Sequence, residues 1–189
     1  MNIFVYNKKT FEPWREKLDT FFRTFTASQD KLASNYIIDY DELDEITLIT
    51  NESEIIAFSS VLKREGWPNN SRRILNRFIR NKDLNWQDNT FGTLSKIMHD
   101  AQIEYCKKQD VDFVFVSIQG KKKNYLKRWT QQANVHSSGW VQPDGMFRVC
   151  SGKPINCVQH LTYKNISGTD KEFEMLSEMI TYEQYQNLL

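Results

Sequence analysis

The sequence is poor in cysteine, glycine and proline. It has three cysteines, seven glycines and four prolines among 189 residues. The odd cysteine count and the absence of CxxC spacing argue against a disulfide framework and against a zinc knuckle. Reduced thiols in the cytoplasm fit this set better, so we expect a cytoplasmic protein. The scarcity of glycine and proline argues against long low-complexity linkers.

No sign of charge dominates the chain, and no long apolar run interrupts it. Lysine and arginine together number 25 against 24 aspartates and glutamates, a formal net charge of +1. This balance excludes a global basic field of the kind that gathers nucleic acid, so such binding would require a local patch. No apolar run approaches the roughly 20 residues of a membrane-spanning helix, and the N-terminus lacks the apolar core of a signal peptide. We expect a soluble protein without a membrane partner.

Large apolar side chains are abundant. Hydrophobic residues make up 40% of the chain and aromatic residues 13%, which suffices for a sizeable core and excludes a disordered chain. The length fits one domain comfortably. We therefore predict a single domain over residues 1–189.

Hydrophobic periodicity and turn residues predict an alternation of strands and helices. Strands are expected at Asn2–Tyr6, Ile46–Thr50, Ile55–Leu62, Arg73–Ile79, Asp112–Ile118, Met146–Cys150 and Cys157–Tyr163. Helices are expected after an N-cap at Thr10, over Thr90–Lys108, over Gly120–Gln132 and, as a C-terminal closing helix, over 170–189. This order predicts an α/β fold with a mixed sheet.

Two connections are predicted to face solvent. The acidic stretch Tyr36–Glu45 is typical of a solvated loop, since runs of charge usually are. The turn-rich segment Gly66–Asn70 is expected to expose Trp67.

The order of elements over roughly residues 1–165 resembles the GNAT N-acyltransferase fold, a mixed central sheet with helices on both faces. The segments most similar to it are Ile46–Leu62, Arg73–Lys108 and Phe113–Trp129. The likeness is closer to small GNAT-like proteins of tailed phages than to typical cellular acetyltransferases. The resemblance implies transfer of an acetyl or other acyl group from acyl-CoA to an amine, carried by a small molecule or a protein.

The resemblance also implies where acyl-CoA binds. In the family, pantetheine pairs with the fourth strand, and pyrophosphate lies on backbone amides at the start of the long helix, where unpaired N–H groups favour an anion. The implied cofactor-binding residues here are Phe78, Ile79, Arg80, Asn89, Gly92 and Thr93.

The phosphate-binding turn departs from the family pattern at one position. That pattern is Arg or Gln, two residues, Gly, one residue, then Gly or Ala. Asn89, Gly92 and Leu94 stand at those spacings, so Gly92 matches, Asn89 is a polar substitute and Leu94 does not match. A bulky residue where backbone must approach pyrophosphate weakens binding. The alternative interpretation of Gly92 is a plain helix-start glycine.

The family's proton-transfer residues are also only partly present. Gly120 stands near the expected Asn, and Trp129 stands near the expected Tyr, although an indole offers only an N–H donor. Tyr125, one turn earlier, is a candidate general acid, and His136 is a candidate general base. The alternatives are a packed or surface tyrosine and a bystander loop histidine.

Two basic stretches leave a second function open. The first comprises Arg72, Arg73, Arg77, Arg80 and Lys82. Within it, Arg77 is a candidate substrate-binding residue, with a structural salt bridge to the acidic stretch as the alternative. Lysines 121–123 form, with Lys127 and Arg128, a patch that is either a solvated helix face or a phosphate contact. The alternative function is a non-catalytic GNAT-fold module that binds nucleic acid or a partner protein. The three histidines and three cysteines are too dispersed to predict a metal site.

Overall fold

A computed structural model describes most of the chain in two compact units. The described residues are 2–7, 9–28, 40–51, 54–78, 90–119, 139–141, 147–148, 159–176, 179–181, 183–184 and 187. The first unit comprises Met1–Lys63 and Ile74–Tyr105, and the second comprises Arg64–Arg73 and Cys106–Leu189. Whether these units form the single predicted domain stays a prediction.

The described elements comprise nine strands and two α-helices. The strands are β1 (Asn2–Asn7), β2 (Leu43–Asn51), β3 (Glu54–Leu62), β4 (Ser71–Phe78), β5 (Phe113–Gln119), β6 (Trp140–Val141), β7 (Phe147–Arg148), β8 (Gln159–Asn165) and β9 (Met179–Ile180). The helices are α1 (Arg15–Ser28) and α2 (Thr90–Lys108), and short 3-10 turns lie at Glu12–Trp14 and Tyr40–Glu42.

In the first unit, β1, β2 and β3 form an antiparallel meander. The β1–β2 register runs from Asn2 opposite Thr50 to Asn7 opposite Glu45. Alternate residues of a strand point to opposite faces, so each face of this meander needs its own cover. The two helices supply it.

The helices of the first unit cover opposite faces of β2 and β3. Leu18 and Phe21 of α1 pack into a core cluster with Ile46 and Leu48 of β2. On the other face, Met98 of α2 packs against Ile49, Ile56 and Ala57. Helices on both faces of the sheet were predicted and are confirmed.

The second unit contains a parallel strand pair. The start of β4 runs parallel to the start of β5, with Ser71 opposite Phe113 and Arg73 opposite Phe115. β5 then pairs antiparallel with β8, and β7 joins β8 to β9 in the strand order β4-β5-β8-β7-β9, with β6 also paired to β8. The combination of parallel and antiparallel pairs confirms the predicted mixed sheet.

Most predicted elements of the described chain are confirmed, and α2 has the predicted bounds. The predicted N-cap at Thr10 is wrong. Its hydroxyl oxygen accepts a hydrogen bond from the Asn7 N–H (3.1 Å) and so closes the turn after β1, while the helical segment begins in a 3-10 turn after Phe11. The basic helix expected over Gly120–Gln132 lies outside the described residues.

The prediction of a C-terminal closing helix over 170–189 is wrong for the described residues of this segment. Residues 170–176 have no regular secondary structure, and Met179–Ile180 forms β9, paired with β7. A helical turn begins only at Glu183, whose carbonyl accepts from the Asn187 N–H at 3.1 Å. Phe173 and Leu176 instead belong to the aromatic core of the second unit.

Trp67 is buried, against the prediction of an exposed aromatic. Its side chain is only 5% exposed and packs edge to face against Phe115, with 5.0 Å between ring centroids. Gly66 before it has a φ of +85°, a conformation that suits glycine and lets the turn bring the indole inward.

In the described part of the chain, no helix is long and apolar enough to cross a membrane.

Candidate functional site

Helix α2 begins at Thr90, within the predicted phosphate-binding turn. Gly92 and Thr93 lie in its first turn, which contains no acidic residue. The first four N–H groups of a helix have no acceptor within the helix, and the dipole gives this end a partial positive charge. This end of α2 therefore has the chemistry of an anion site.

The position of this helix start is fixed by the other half of α2. Gln102 Nε2 donates to the carbonyl oxygen of Ser60 at 3.0 Å, and the Tyr105 hydroxyl donates to the carbonyl oxygen of Asp44 at 3.3 Å. With the fully buried Met98, these contacts fasten α2 to β2 and β3. These contacts orient α2, and with it the helix start, on the meander.

The other candidate site residues are only partly described. Arg77 and Phe78 belong to β4, as predicted, but their side chains are not among those described. Ile79, Arg80, Asn89, Tyr125 and His136 lie outside the described residues. Of the candidate site residues that the structure describes, Gly92 and Thr93, which are neighbours in sequence, lie at the start of α2.

Asp112 is the centre of a small hydrogen-bond network at the start of the parallel strand pair. Its two carboxylate oxygens each accept from Lys171 Nζ at 2.7 Å, and one of them also accepts from Asn70 Nδ2 at 2.8 Å. Hydrogen bonds from Lys171 and then from Asn70 lower the pKa of Asp112. This network links the segment after β8 to the turn before β4, and no local sequence pattern predicts it.

Glu45 contradicts the prediction that the acidic stretch is a solvated loop. It lies in β2, is only 1% exposed, and its carboxylate accepts a hydrogen bond from the Thr47 hydroxyl. Alternation places Glu45 with Thr47 and Ile49 on the face that α2 covers. Burial raises the pKa of Glu45 to about 7. The sequence signal that identifies Glu45 as a strand residue is the two-residue alternation that runs back from Ile49 through Thr47.

A carboxyl group with a pKa near neutrality has the proton affinity that suits general acid or base chemistry. Such a group must also reach the proton that it transfers. Because Glu45 is buried in the core of the first unit, it does not meet this condition. We therefore assign Glu45 to the core and expect it to act on stability.

The described histidines and cysteine do not form a metal site. His99 is buried on α2, His160 lies in β8, and Cys106 is a buried cysteine that forms no disulfide. No group of three or more His, Cys, Asp or Glu side chains within the described residues is placed to hold a metal ion. Cys150 and Cys157 lie outside those residues.

The strand order and helix placement are those of a known fold. An acetyltransferase of the GNAT family from Streptococcus pneumoniae superposes with a TM-score of 0.57 at 11% identity, over 87% of this chain and 99% of that one. An aminoglycoside 6'-N-acetyltransferase from Enterococcus faecium superposes with a TM-score of 0.55 at 7% identity, over 90% of this chain and 100% of that one. The ribosomal-protein-S18-alanine N-acetyltransferase from Escherichia coli superposes with a TM-score of 0.51 at 10% identity, over 92% of this chain and 99% of that one.

The chain therefore has the fold of GNAT acetyltransferases, as its element order predicted. No protein-family model matches the sequence, and no curated protein matches it significantly. At these identities the structural likeness establishes the fold, and a function has to be argued from the site.

Proposed function

We propose that this protein is an N-acyltransferase that moves an acetyl or other acyl group from acyl-CoA to an amine. The observation that carries the proposal is the start of α2. There, a helix that packs on β2 and β3 of a GNAT fold begins with N–H groups that have no acceptor within the helix, a glycine and no acidic residue. This is the chemistry that a pyrophosphate requires.

The proposed acyl-CoA site extends from this helix start to the end of β4. Asn89, Gly92 and Thr93 hold the pyrophosphate, and a glycine at position 92 leaves room for backbone to approach it. Phe78, Ile79 and Arg80 hold the pantetheine through their backbone groups.

In the proposed reaction, the acceptor amine attacks the thioester carbonyl carbon, a C–N bond forms and the C–S bond breaks. Bound acyl-CoA supplies the activated acyl group. Backbone N–H groups stabilise the oxyanion that develops on the carbonyl oxygen. His136 accepts the proton that the amine loses, and Tyr125 donates a proton to the departing sulfur. Arg77 orients the acceptor.

The acceptor is an amine on a small molecule or a protein. Structural neighbours are named for aminoglycosides and for an alanine of a ribosomal protein, so the fold accommodates both classes of amine. We place the reaction in the cytoplasm, where the buried thiol of Cys106 stays reduced.

The second candidate function is a non-catalytic GNAT-fold module that binds nucleic acid or a partner protein. Two departures from the family pattern favour it. Leu94 replaces the last small residue of the phosphate turn, and Trp129 stands near the position of the proton-donating tyrosine. In this case the two basic stretches, within residues 72–82 and at residues 121–128, contact the nucleic acid or the partner protein.

Incubation with acetyl-CoA and a set of amines distinguishes the two functions. The set contains a polyamine, an aminoglycoside and a peptide with a free N-terminus, and the readouts are free CoA thiol and acetylated acceptor by mass spectrometry. We expect thiol release that requires both protein and amine. Gly92→Asp places a carboxylate against the pyrophosphate and is expected to reduce release by about tenfold or more.

A different outcome supports the second function. If no acceptor is acetylated, and the protein instead binds nucleic acid with an affinity that falls as salt rises, the acyltransferase proposal is wrong and the module remains.

A further inference from the structure

Strand β1 lies at one edge of the meander. It pairs with β2 alone and ends the strand order among the described strands. In an antiparallel pair, alternate residues direct their N–H and C=O groups away from the neighbouring strand. The outer side of β1 is therefore a row of backbone donors and acceptors, which is the template for another strand.

Within its own described residues, β1 carries none of the sequence features by which natural edge strands usually block strand addition. Such features are charged side chains, proline and β-bulges. The β1 sequence, Asn-Ile-Phe-Val-Tyr-Asn, has no charged residue and no proline. Its register with β2 runs without a shift over all six residues. The edge is therefore regular and electrically neutral.

The side chains of β1 differ between its two faces. Ile3 is 46% exposed and Val5 is 58% exposed, although the β2 residues opposite them are buried. On the other face, Phe4 and Tyr6 pack against Trp14, with 5.6 and 6.2 Å between ring centroids. Trp14 Nε1 also donates to the Tyr6 hydroxyl at 2.6 Å. One face thus holds β1 in place, and the other leaves two apolar side chains in solvent.

We propose that β1 pairs antiparallel with β1 of a second copy of this chain, about a two-fold axis at Phe4. A row of backbone donors and acceptors is matched by another extended strand. In this register Ile3 faces Val5 of the second copy, and Val5 faces Ile3, so each exposed apolar side chain gains an apolar partner. Because the strand is uncharged, two copies of it meet without like charges in opposition.

Sedimentation velocity over a series of protein concentrations tests this dimer. We expect wild-type protein to sediment as a dimer at tens of micromolar and Val5→Lys to raise the dimer dissociation constant by about tenfold or more, because it adds unpaired charge at the interface. Val141→Lys is the matched control, since Val141 is 45% exposed but lies in β6. We expect this control to dimerise like the wild type.

Circular dichroism and thermal melting of each variant verify that it is folded, and Ile3→Lys replaces Val5→Lys if the latter fails this check. The proposal is overturned if the wild type is monomeric at every concentration. It is equally overturned if folded Val5→Lys dimerises like the wild type, or if Val141→Lys dissociates to the same extent. None of these outcomes depends on acyl-CoA binding.

Discussion

The free energy of unfolding is expected to fall as pH rises from about 4.5 to about 7, and Glu45→Gln is expected to remove this fall. In the folded protein, burial raises the pKa of Glu45 from its ordinary value of 4.5 to about 7. Between these values the folded state holds a proton that the unfolded state has released, so stability decreases with rising pH. The stabilisation is fully present below the unfolded value and is lost once pH passes the folded value.

The gap between the two pKa values corresponds to a loss of about 3 kcal/mol. A neutral glutamine keeps the size of the side chain and avoids burying a charge. Above pH 7, Glu45→Gln is therefore expected to be more stable than the wild type. Near pH 4, where Glu45 is protonated, the two proteins should differ little.

Urea denaturation at several pH values between about 4 and 8 measures this effect. Glu54→Gln is the matched control, because Glu54 is an exposed residue at the start of β3, the strand that neighbours β2. We expect the control to follow the pH profile of the wild type. Identical profiles for the wild type and Glu45→Gln would show that the Glu45 carboxylate is solvated in the folded protein.

Phe115→Ala is expected to destabilise the protein by about 3–5 kcal/mol, the usual cost of deleting a buried aromatic ring. Phe115 is fully buried in β5. Its ring contacts Trp67 at 5.0 Å and Phe173 at 6.3 Å between centroids, so its removal leaves a cavity that these large rings line. The free energy of unfolding from urea denaturation gives the measurement.

Phe115→Leu provides the matched comparison for this cavity. Leucine restores much of the lost apolar volume, so its cost should be well below that of alanine. Equal losses for the two variants would mean that the ring contacts, and not the filled volume, dominate at this position. A loss below about 1 kcal/mol for Phe115→Ala would contradict the burial of Phe115.

Local sequence signals were sufficient for the hairpin of β2 and β3, for α2 and for β5. The hairpin of β2 and β3 follows from two apolar runs joined by turn residues, and α2 from sustained helical spacing. The start of β2 was missed because Glu45 follows several acidic residues. Their charge predicted a solvated loop and concealed the two-residue alternation of the strand. Burial of a lone carboxyl depends on the helix above it, which local sequence does not specify.

The C-terminal segment was mispredicted because long-range contacts decide its conformation. Phe173 and Leu176 have spacing that a helix accommodates. In the structure, Phe173 instead stacks on Tyr163 of β8 at 4.4 Å, and Met179–Ile180 pairs with β7. Tertiary packing overrides weak helical preference in such a segment.

The start of α2, on which the proposed site rests, was predictable from the sequence. Gly92 and Thr93 lie at the start of α2 because the helix begins where its sequence pattern begins. The roles of Tyr125 and His136 stay predictions, as does the likeness to phage proteins. Side-chain proton transfer depends on distances between segments far apart in sequence, and periodicity carries no information about these distances.

A thermal-shift titration with CoA and acetyl-CoA tests the central claim most directly. We expect the melting temperature of the wild type to rise with ligand concentration, as it does for any ligand that binds only the folded state. Gly92→Asp should lose this shift without loss of ligand-free stability, since an acidic residue in the first turn suits the helix dipole. Gly92→Ala, which adds no charge, should lose less of the shift. A wild-type melting temperature that stays constant up to millimolar ligand would contradict an acyl-CoA site at the start of α2.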